Sequence, residues 1–382
     1  MSLAEAPPRD HAPAVRSLDF LDFLEPSNRE EEWKFTPLER VNGLLEPVDT
    51  AVGIGWGSSS PYVTEVAIDD ARLHASWTPT DRAGAVARGA ATRAILIDIP
   101  KETVVDGSVI VDLKALGDVN YAHIEVVVGD FSSATVVIRH DVAADVLGNL
   151  VVQAGAESDV KVLSVMDGEA TGRQMWQWHT IVGRNATSFG LSIALGGEVV
   201  RMVPSVEYSA PGGSAVMLGA FLADGSQYQE HRLFVDHAQP NCSSYVAYKG
   251  ALAGGTAHTV WVGDVLVRRA ATGIETYEVN RNLLLADGPR ADSVPNLELE
   301  TGDIVAAGHA SATGRFDDEQ LFYLQSRGIP ERVARQLVVR GFFADVLSKI
   351  SDAGLRSEIL GRIEQRLGME SVGAVDEGDL NG

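Results

Sequence analysis

Residues 121–130 read YAHIEVVVGD and carry the clearest strand pattern of the chain. Small or aliphatic side chains alternate with polar or aromatic ones. One face would carry Ala122, Ile124, Val126 and Val128, and the other Tyr121, His123 and Glu125. A period of two residues is typical of a β-strand that is buried on one face only. The stretch therefore predicts a half-buried strand with His123 on its solvent face.

Short runs of the same kind recur from about residue 119 to residue 304, separated by turn-forming residues. Clusters of Gly, Asn, Asp or Pro lie at 155–157, 183–185, 211–213 and 239–241. They are roughly 27 to 30 residues apart, which is close to one coil of a parallel β-helix. The pattern predicts a mainly β fold whose solenoid core spans residues 115–310. Periodicity alone leaves an antiparallel sandwich open as the alternative.

The N-terminal part, residues 1–114, differs from the core in composition. Its first ~15 residues are rich in Pro and Ala and predict disorder. A short helix is predicted over residues 18–24, followed by the charged stretch NREEEWKF around Trp33 and Phe35. The remainder, up to about Lys114, gives no clear fold pattern.

The C-terminal residues 311–369 predict a helical domain, and the Gly/Asp/Glu-rich tail 370–382 predicts disorder. FDDEQLFYLQSRG predicts a first helix that ends at Gly328. Later apolar positions continue at helical spacing and comprise Val333, Leu337, Phe342, Phe343, Val346, Leu347, Ile350, Leu355, Ile359 and Ile363. Two or three helices cannot bury this much apolar surface among themselves. It packs either on the solenoid or on a partner protein, and the sequence leaves both open.

The charge and the cysteine content restrict the class of protein. The 382 residues include 53 acidic and 31 basic ones, which gives a formal net charge of −22 and disfavours nucleic-acid and anionic-membrane partners. The N-terminus lacks the pattern of a secretory signal, and no apolar run approaches the ~20 residues of a membrane span. Cys242 is the single cysteine, so an internal disulfide and a multi-thiolate zinc site are excluded. We expect a cytoplasmic protein.

Sequence motifs of several enzyme classes are missing. None of the six lysines follows a glycine, so the chain has no phosphate-binding loop with which to hydrolyse ATP. The serine-hydrolase motif G-x-S-x-G and the zinc motif H-E-x-x-H are also absent. A β-helix carbohydrate-active enzyme remains as an alternative function. It would need clustered carboxylates and an aromatic-lined groove, whereas only 7% of the residues are aromatic.

Two histidines and the cysteine are explained by structural roles. On one strand, His231 and His237 would share a face about 20 Å apart at ~3.3 Å per residue, too far for one metal ion. We expect them to stack on neighbouring coils and to form hydrogen bonds there. Cys242 is expected to be a small buried apolar side chain, since a reactive thiol needs an accessible, electropositive setting.

His309 has a different setting, at the predicted junction between the solenoid and the helical domain. Its neighbours in AAGHAS are small, which permits close approach by another chain or a bulky ligand. Neutral imidazole is a good ligand for iron or zinc. His309 is therefore a candidate metal ligand, although a single histidine does not make a metal site.

Three segments resemble the SufB/SufD family, the scaffold subunits of the SUF iron–sulfur cluster assembly machinery. They are NREEEWKFTPL, DHAQPNCSSYVAYKGAL and the long C-terminal stretch TGDIVAAGHASATGRFDDEQLFYLQSRGIPERVARQLVVRGF. Within the family the chain resembles the SufD branch, because His309 stands near the place where SufB members carry a functional cysteine. Ala307 occupies a position where some SufD relatives have a cysteine, so no thiolate from this chain is expected there.

The resemblance implies a right-handed parallel β-helix flanked by helical parts. It implies pairing with a SufB-type paralogue through the β-helices and binding of a SufC-type ATPase to the C-terminal helices, which would assign their apolar surface to a partner. The implied cofactor is a transient iron–sulfur cluster shared with SufB, with His309 as a candidate ligand and none held permanently by this chain alone. Whether a flavin binds the complex stays open.

Overall fold

The computed structural model of the chain describes residues 15–73, 77–140, 143–167, 171–316, 318–350 and 352–366. Most of the predicted disordered start and the tail 370–382 lie outside the described residues. The fold is mainly β and forms a parallel β-solenoid of about seven turns with helices at both termini. The predicted fold class is confirmed, and the antiparallel sandwich is excluded.

The solenoid is built from two sheets, and the chain alternates between them. Sheet A contains β1 (Val52–Gly53), β3 (Val63–Ala67), β4 (Arg93–Ile99), β6 (Val119–Val128), β8 (Asp145–Ala154), β10 (Arg173–Val182), β12 (Val199–Tyr208), β14 (Tyr228–His237), β16 (His258–Val267) and β18 (Arg290–Leu299). Sheet B contains β2 (Gly55–Gly57), β5 (Val104–Lys114), β7 (Ser133–His140), β9 (Asp159–Met166), β11 (Thr187–Ala194), β13 (Ser214–Ala223), β15 (Ser243–Leu252), β17 (Ile274–Leu284) and β19 (Ile304–Arg315). The continuous parallel pairing runs from β4 and β5 through β19, and β1 also pairs parallel with β6, so parallel pairing extends beyond residues 115–310 at both ends.

The turns predicted from the sequence are the corners between sheets. Several of them require a left-handed backbone conformation, with φ of +57° at Glu157, +52° at Asn185 and +58° at Asn241. Asn tolerates this conformation better than most residues. Gly212 has φ +81°, and a Cβ there would also lie 2.1 Å from the side-chain oxygen of Asn185 in the preceding corner. Stacking of corners thus explains why small turn residues recur once per coil.

The helices cover the outer faces of the sheets. Two short 3-10 helices span Phe20–Asp22 and Glu31–Trp33, and the α-helices are α1 (Leu38–Val41), α2 (Arg82–Ala90), α3 (Asp318–Ser326), α4 (Glu331–Leu347) and α5 (Ala353–Arg366). Trp33, Leu44 and Val86 of the N-terminal part pack on the outer side chains of sheet A, including Tyr121 and Met175.

This cover reverses the prediction for His123, which is buried. Its ring lies beside Trp77, with centroids 5.7 Å apart, and its Nε2 is 3.0 Å from Oε1 of Glu125. Burial lowers the pKa of His123. The prediction of a solvent-facing His123 was wrong because the alternation of a strand identifies two faces without telling which of them another segment will cover.

The C-terminal helices cover sheet B, which decides between the two explanations of their apolar surface. Phe343 and Val346 of α4 and Ile359 of α5 are buried in one cluster with Leu191 and Leu218 of the sheet. The assignment of this surface to a partner was therefore wrong for these side chains. The large apolar side chains that stay exposed on the helices are Phe322, Tyr323 and Leu337.

A buried charge cluster attaches the N-terminal part to sheet A. The guanidinium of Arg201 lies 4.1 Å from the centre of the Trp33 ring and forms an ion pair with Asp81. The carboxylates of Glu32 and Glu230 each lie 3.9 Å from Arg201. The stretch NREEEWKF, noted in the sequence for its charges around an aromatic residue, is thus a docking segment.

The two ends of the solenoid differ. At the N-terminal end, β2 pairs antiparallel with β5 and β3 pairs antiparallel with β4, so both first strands are partly capped. At the C-terminal end, β18 and β19 each have one strand neighbour within the described residues. Their other edges have no strand partner in this part of the chain. None of the helices in the described part of the chain combines the length and apolarity needed to cross a membrane.

Candidate metal-ligand site at the open end

His309 lies in the middle of β19, the last strand of sheet B. It pairs in register with Glu278 of β17, so both side chains point toward the solenoid interior. Because no further coil is stacked on β19 in the described structure, the His309 side chain is 45% exposed although it faces inward. The open end therefore presents an imidazole that a longer solenoid would bury.

Glu278 lies directly beneath His309 and is fully buried. Its Oε1 is 3.9 Å from Nδ1 of His309. The amide of Asn296 partly stabilises the carboxylate, but neither carboxyl oxygen has a partner in hydrogen-bond geometry among the described residues. Burial, reinforced by the charge of Asp264, raises the pKa of Glu278 to about 8.

The remaining interior of the last coils contains a network of hydrogen-bonded polar side chains. The Nδ2 of Asn282 donates to Oδ1 of Asn280 over 2.7 Å and to Oγ of Ser293 over 3.0 Å. The hydroxyl of Ser293 in turn donates to Oδ1 of Asn280 over 2.6 Å. The Nδ2 of Asn282 also donates to Oγ1 of Thr313, on the end strand β19, over 3.3 Å. These hydrogen bonds order the open end, and within the network only the Oδ1 of Asn282 lacks a hydrogen-bond partner among the described residues.

His309 and Glu278 do not form a complete metal site. No group of three or more His, Cys, Asp or Glu side chains arranged to hold a metal ion occurs in the residues that the structure describes. A metal ion needs more donors than one imidazole and one buried carboxyl group. Further ligands at this position must come from another molecule.

The other histidines considered from the sequence are interior residues. His231 is packed between Phe221 and Tyr248, and His237 is stacked on Tyr208. Burial lowers the pKa of both histidines to about 3, which keeps the rings neutral.

Only one of these two histidines has the hydrogen bond that we expected. The Nε2 of His237 lies 2.9 Å from Oγ of Ser244, whereas neither nitrogen of His231 has a partner among the described residues. The structure brings neither of them together with His309.

Cys242 lies in the corner before β15 and is buried. Its Sγ is 3.5 Å from the carbonyl of Pro240 and 3.7 Å from that of Ala210. Burial raises the pKa of the thiol, which keeps it protonated. The setting is that of a packed side chain rather than a reactive thiolate.

Glu278 was missed by the sequence reasoning, although a signal existed. In IETYEVNRNLL, alternation places Ile274, Thr276, Glu278, Asn280 and Asn282 on one face. This face contains a carboxylate and is clearly the inner one only when the partner strands are known.

Comparison with known proteins identifies the family. The family model described as "SUF system FeS cluster assembly, SufBD core domain" matches residues 111–342. These residues include most of the solenoid and the start of the helical part. The chain belongs to the SufBD family. It therefore belongs with proteins of the SUF iron–sulfur cluster assembly system, and the comparisons give no support to a carbohydrate-active enzyme.

Several relatives in this family are similar over different lengths. An iron–sulfur cluster assembly SufBD family protein of Mycobacterium tuberculosis is 44% identical over 363 residues, which covers 92% of this chain and 91% of the relative. The corresponding protein of Mycobacterium leprae is 43% identical over the same length. The iron–sulfur cluster assembly protein SufD of Escherichia coli is 30% identical over 187 residues, 49% of this chain and 44% of that protein.

Proposed function

We propose that this chain is a non-catalytic scaffold subunit on which iron–sulfur clusters are assembled in the cytoplasm. Membership of the SufBD family and similarity to proteins named SufD support this assignment. The observation that carries it is the position of His309, whose imidazole is half exposed at the uncapped end of the solenoid, and imidazole is a good ligand for iron. The cluster is the cargo of the site and is not a resident cofactor.

The partner at the open end is proposed to be a SufB-type paralogue. The free edges of β18 and β19 carry unpaired backbone donors and acceptors, and such edges readily pair with strands of another chain. A second β-helix whose edge strands pair with β18 and β19 could continue both sheets. Its own side chains would then supply the ligands that His309 and Glu278 leave missing.

In this arrangement His309 contributes one imidazole ligand to the forming cluster. A ligand set that mixes imidazole from one subunit with thiolate from the other suits a cluster that must later leave, because each subunit holds only part of it. The chain needs no phosphate-binding loop of its own if a separate ATPase drives the assembly cycle.

A SufC-type ATPase is proposed to dock on the C-terminal helices. The supporting observation is the exposed apolar set Phe322, Tyr323 and Leu337 on α3 and α4. Val346 is excluded from this contact because it is buried against sheet B, and Phe342 is half-buried. Truncation before α3 would expose the covered face of sheet B, so point variants are the better test.

The scaffold role is tested with His309→Ala in the complex co-expressed with the SufB-type and SufC-type subunits. We expect normal assembly of subunits on size-exclusion chromatography and a loss of cluster formation of about tenfold or more. His309→Cys should retain part of the activity, since thiolate is also an iron ligand. Ser311→Ala, two residues along the same inward face, is the matched control. Wild-type cluster formation by His309→Ala would refute the ligand role.

Docking of the ATPase is tested with the double variant Phe322→Ala/Tyr323→Ala. We expect it to bind the SufC-type ATPase at least about tenfold more weakly, with its thermal stability unchanged because both side chains are exposed. Phe131→Ala, at an exposed corner of the solenoid, is the control. Equal binding by both variants would place the docking surface elsewhere, and ATP hydrolysis by the purified chain alone would refute its non-catalytic role.

A further inference from the structure

The burial of the Glu278 carboxyl group destabilises the folded chain, because its surroundings do not provide compensating hydrogen bonds. Both oxygens of its fully buried carboxyl group lack a hydrogen-bond partner among the described residues. Buried polar groups in native proteins are nearly always hydrogen-bonded, and leaving one unsatisfied destabilises the folded state. An exception of this kind calls for a reason outside the packing of the isolated chain.

The space around the carboxyl group is shaped to hold it. A Cβ added to Gly263 of β16 would lie 2.3 Å from Oε2 of Glu278 and 2.4 Å from the Trp261 ring. Any larger residue at position 263 would displace the carboxyl group or the ring. The opposite oxygen, Oε1, faces Nδ1 of His309 at 3.9 Å. One oxygen thus occupies a slot left by a glycine, and the other is directed at the candidate ligand.

We propose that Glu278 is the positioning residue for His309. Its carboxyl oxygen Oε1 accepts a hydrogen bond from the N–H at Nδ1 of the imidazole, which fixes the ring in the Nδ1–H tautomer. The lone pair of Nε2, on the opposite edge of the ring, is then left free at the open end of the solenoid to bind a metal ion. This inference rests on the proposed function, because it concerns the same metal-binding side chain.

A small side-chain movement completes the contact. The distance of 3.9 Å exceeds a hydrogen bond, but the His309 side chain is 45% exposed, which leaves its ring room to rotate toward Oε1. Hydrogen bonds at functional sites often have long donor–acceptor distances in the absence of the ligand and shorten when it binds. Histidines that bind metal usually donate their second ring N–H to a carboxylate or carbonyl, which orients the ring.

The other groups around Glu278 do not take over this role. From sheet A, Asn296 donates its side-chain amide to Asp264 over 2.6 Å, and its backbone amide is directed toward Glu278. The carboxyl group of Glu278 offers an acceptor oxygen whether it is ionised or protonated. By contrast, Nδ1 of His309 lies 3.9 Å from Oε1 of Glu278.

The first test measures the tautomer of His309 in the isolated full-length chain. Uniformly 15N-histidine-labelled protein is compared with His309→Ala to assign the ring signals. We expect the Nδ1–H tautomer in the wild type and a shift to the Nε2–H tautomer, which predominates in free neutral histidine, in Glu278→Met. Glu275→Met, on the exposed face of the same strand, should match the wild type. An unchanged tautomer in Glu278→Met would overturn the proposal.

The second test compares stability with cluster assembly in the complex. Glu278→Met removes an unpartnered carboxyl group at similar volume, so we expect an equal or higher melting temperature. Cluster formation should nevertheless fall about tenfold or more, the usual effect of removing a carboxylate behind a metal-binding histidine. Glu278→Gln keeps an acceptor oxygen, so its rate of cluster formation should lie between those of the wild type and Glu278→Met. If Glu278→Met fails to fold, Glu278→Gln provides the test.

The outcomes separate this inference from the proposed function. A lower melting temperature with normal cluster formation would make Glu278 a structural residue and overturn the inference. If His309→Ala abolishes cluster formation while Glu278→Met does not reduce it, the scaffold function stands and the positioning role fails. Normal cluster formation in His309→Ala removes the basis of both.

Discussion

Glu230 and Glu278 are two fully buried glutamates in different regions of the same solenoid. Beneath the N-terminal segment, Oε2 of Glu230 accepts hydrogen bonds from Thr36 over 2.6 Å and from Tyr228 over 2.9 Å, with Arg201 close by. At the open end, neither oxygen of Glu278 has a hydrogen-bond partner in the described structure. The two carboxyl groups are therefore equally buried, but only that of Glu230 is stabilised by hydrogen bonds.

The difference separates a structural use of charge from a functional one. The charges of the cluster around Arg201 are paired within the chain, although its Nε lacks a hydrogen-bond partner in the described structure, and these ion pairs hold the N-terminal segment in place. Glu278 lacks such matching and lies beneath β19, the edge strand at the C-terminal end of sheet B in the described structure. Polar groups that are left unsatisfied in a native fold tend to occur at functional sites.

The largest effect is expected from breaking the satisfied cluster. Arg201→Ala leaves the buried carboxylate of Asp81 without its cation, leaves Glu230 with Arg232 alone, and removes the contact with Trp33. Loss of one partner of a buried ion pair costs about 3–5 kcal/mol, which urea unfolding of the full chain will measure. Arg184→Ala, which removes an exposed pair with Glu157, should cost at most about 1 kcal/mol. Equal costs for the two variants would contradict the comparison.

The next effect concerns the pH dependence of stability. Burial raises the pKa of Glu278 from 4.5 to about 8, so the native state retains a proton that the unfolded state releases above pH 4.5. Stability should then fall as the pH rises through this window, by on the order of a few kcal/mol. Glu278→Gln should flatten that fall between pH 5 and pH 8.5 in urea titrations. An identical slope in both proteins would show that Glu278 does not titrate in this way.

Glu32 provides a second contribution of the same sign. Burial and the nearby charge of Asp81 raise its pKa to about 7, although Arg201 acts in the opposite direction. Some decrease in stability with rising pH should therefore persist in Glu278→Gln. This residual slope belongs to the cluster beneath the N-terminal segment.

A smaller effect is expected at the strand edges. Val305 at the open end and Val104 at the capped end are both exposed valines, with 71% and 78% of their surface accessible. A lysine on a free edge opposes pairing with another strand. Val305→Lys should weaken association with the SufB-type subunit about tenfold, whereas Val104→Lys should leave it unchanged. Binding isotherms that show equal weakening for both would refute the assignment of the interface to the open end.

The smallest effect is expected for Cys242→Ala. The thiol is buried and protonated and lies away from both regions compared above, so cluster formation should be unchanged. The loss of a small packed side chain should cost on the order of 1 kcal/mol of stability. An inactive Cys242→Ala variant with an intact complex would show that the thiol, rather than His309, carries the chemistry.

Much of the fold was accessible from the sequence because it is encoded locally. Alternation in YAHIEVVVGD and the recurring turn clusters both reflect the geometry of single strands and corners, which depends on a few adjacent residues. The stretch NREEEWKF also stood out by composition. Its role required Arg201, which lies some 170 residues further along the chain and which no local pattern connects to Trp33.

The candidate site was accessible only in part. His309 was predicted from its small neighbours and from its resemblance to a family, and the structure places it on the open end. Glu278 was not predicted, because its register with His309 depends on the pairing of β17 with β19. The buried state of His123 and Val346 was likewise hidden, since the segments that cover them are distant in sequence.

The amino-acid sequence by itself determined the strands, the corners and the helices, since each follows from the alternation, helical spacing or turn chemistry of neighbouring residues. Only the tertiary structure decided which faces became interior, which glutamate found partners and which end of the solenoid stayed free. Burial and charge pairing depend on contacts between segments that are distant in sequence. The pKa and the exposure of a side chain therefore depend on the tertiary structure. His309 is a candidate site because the solenoid stops there.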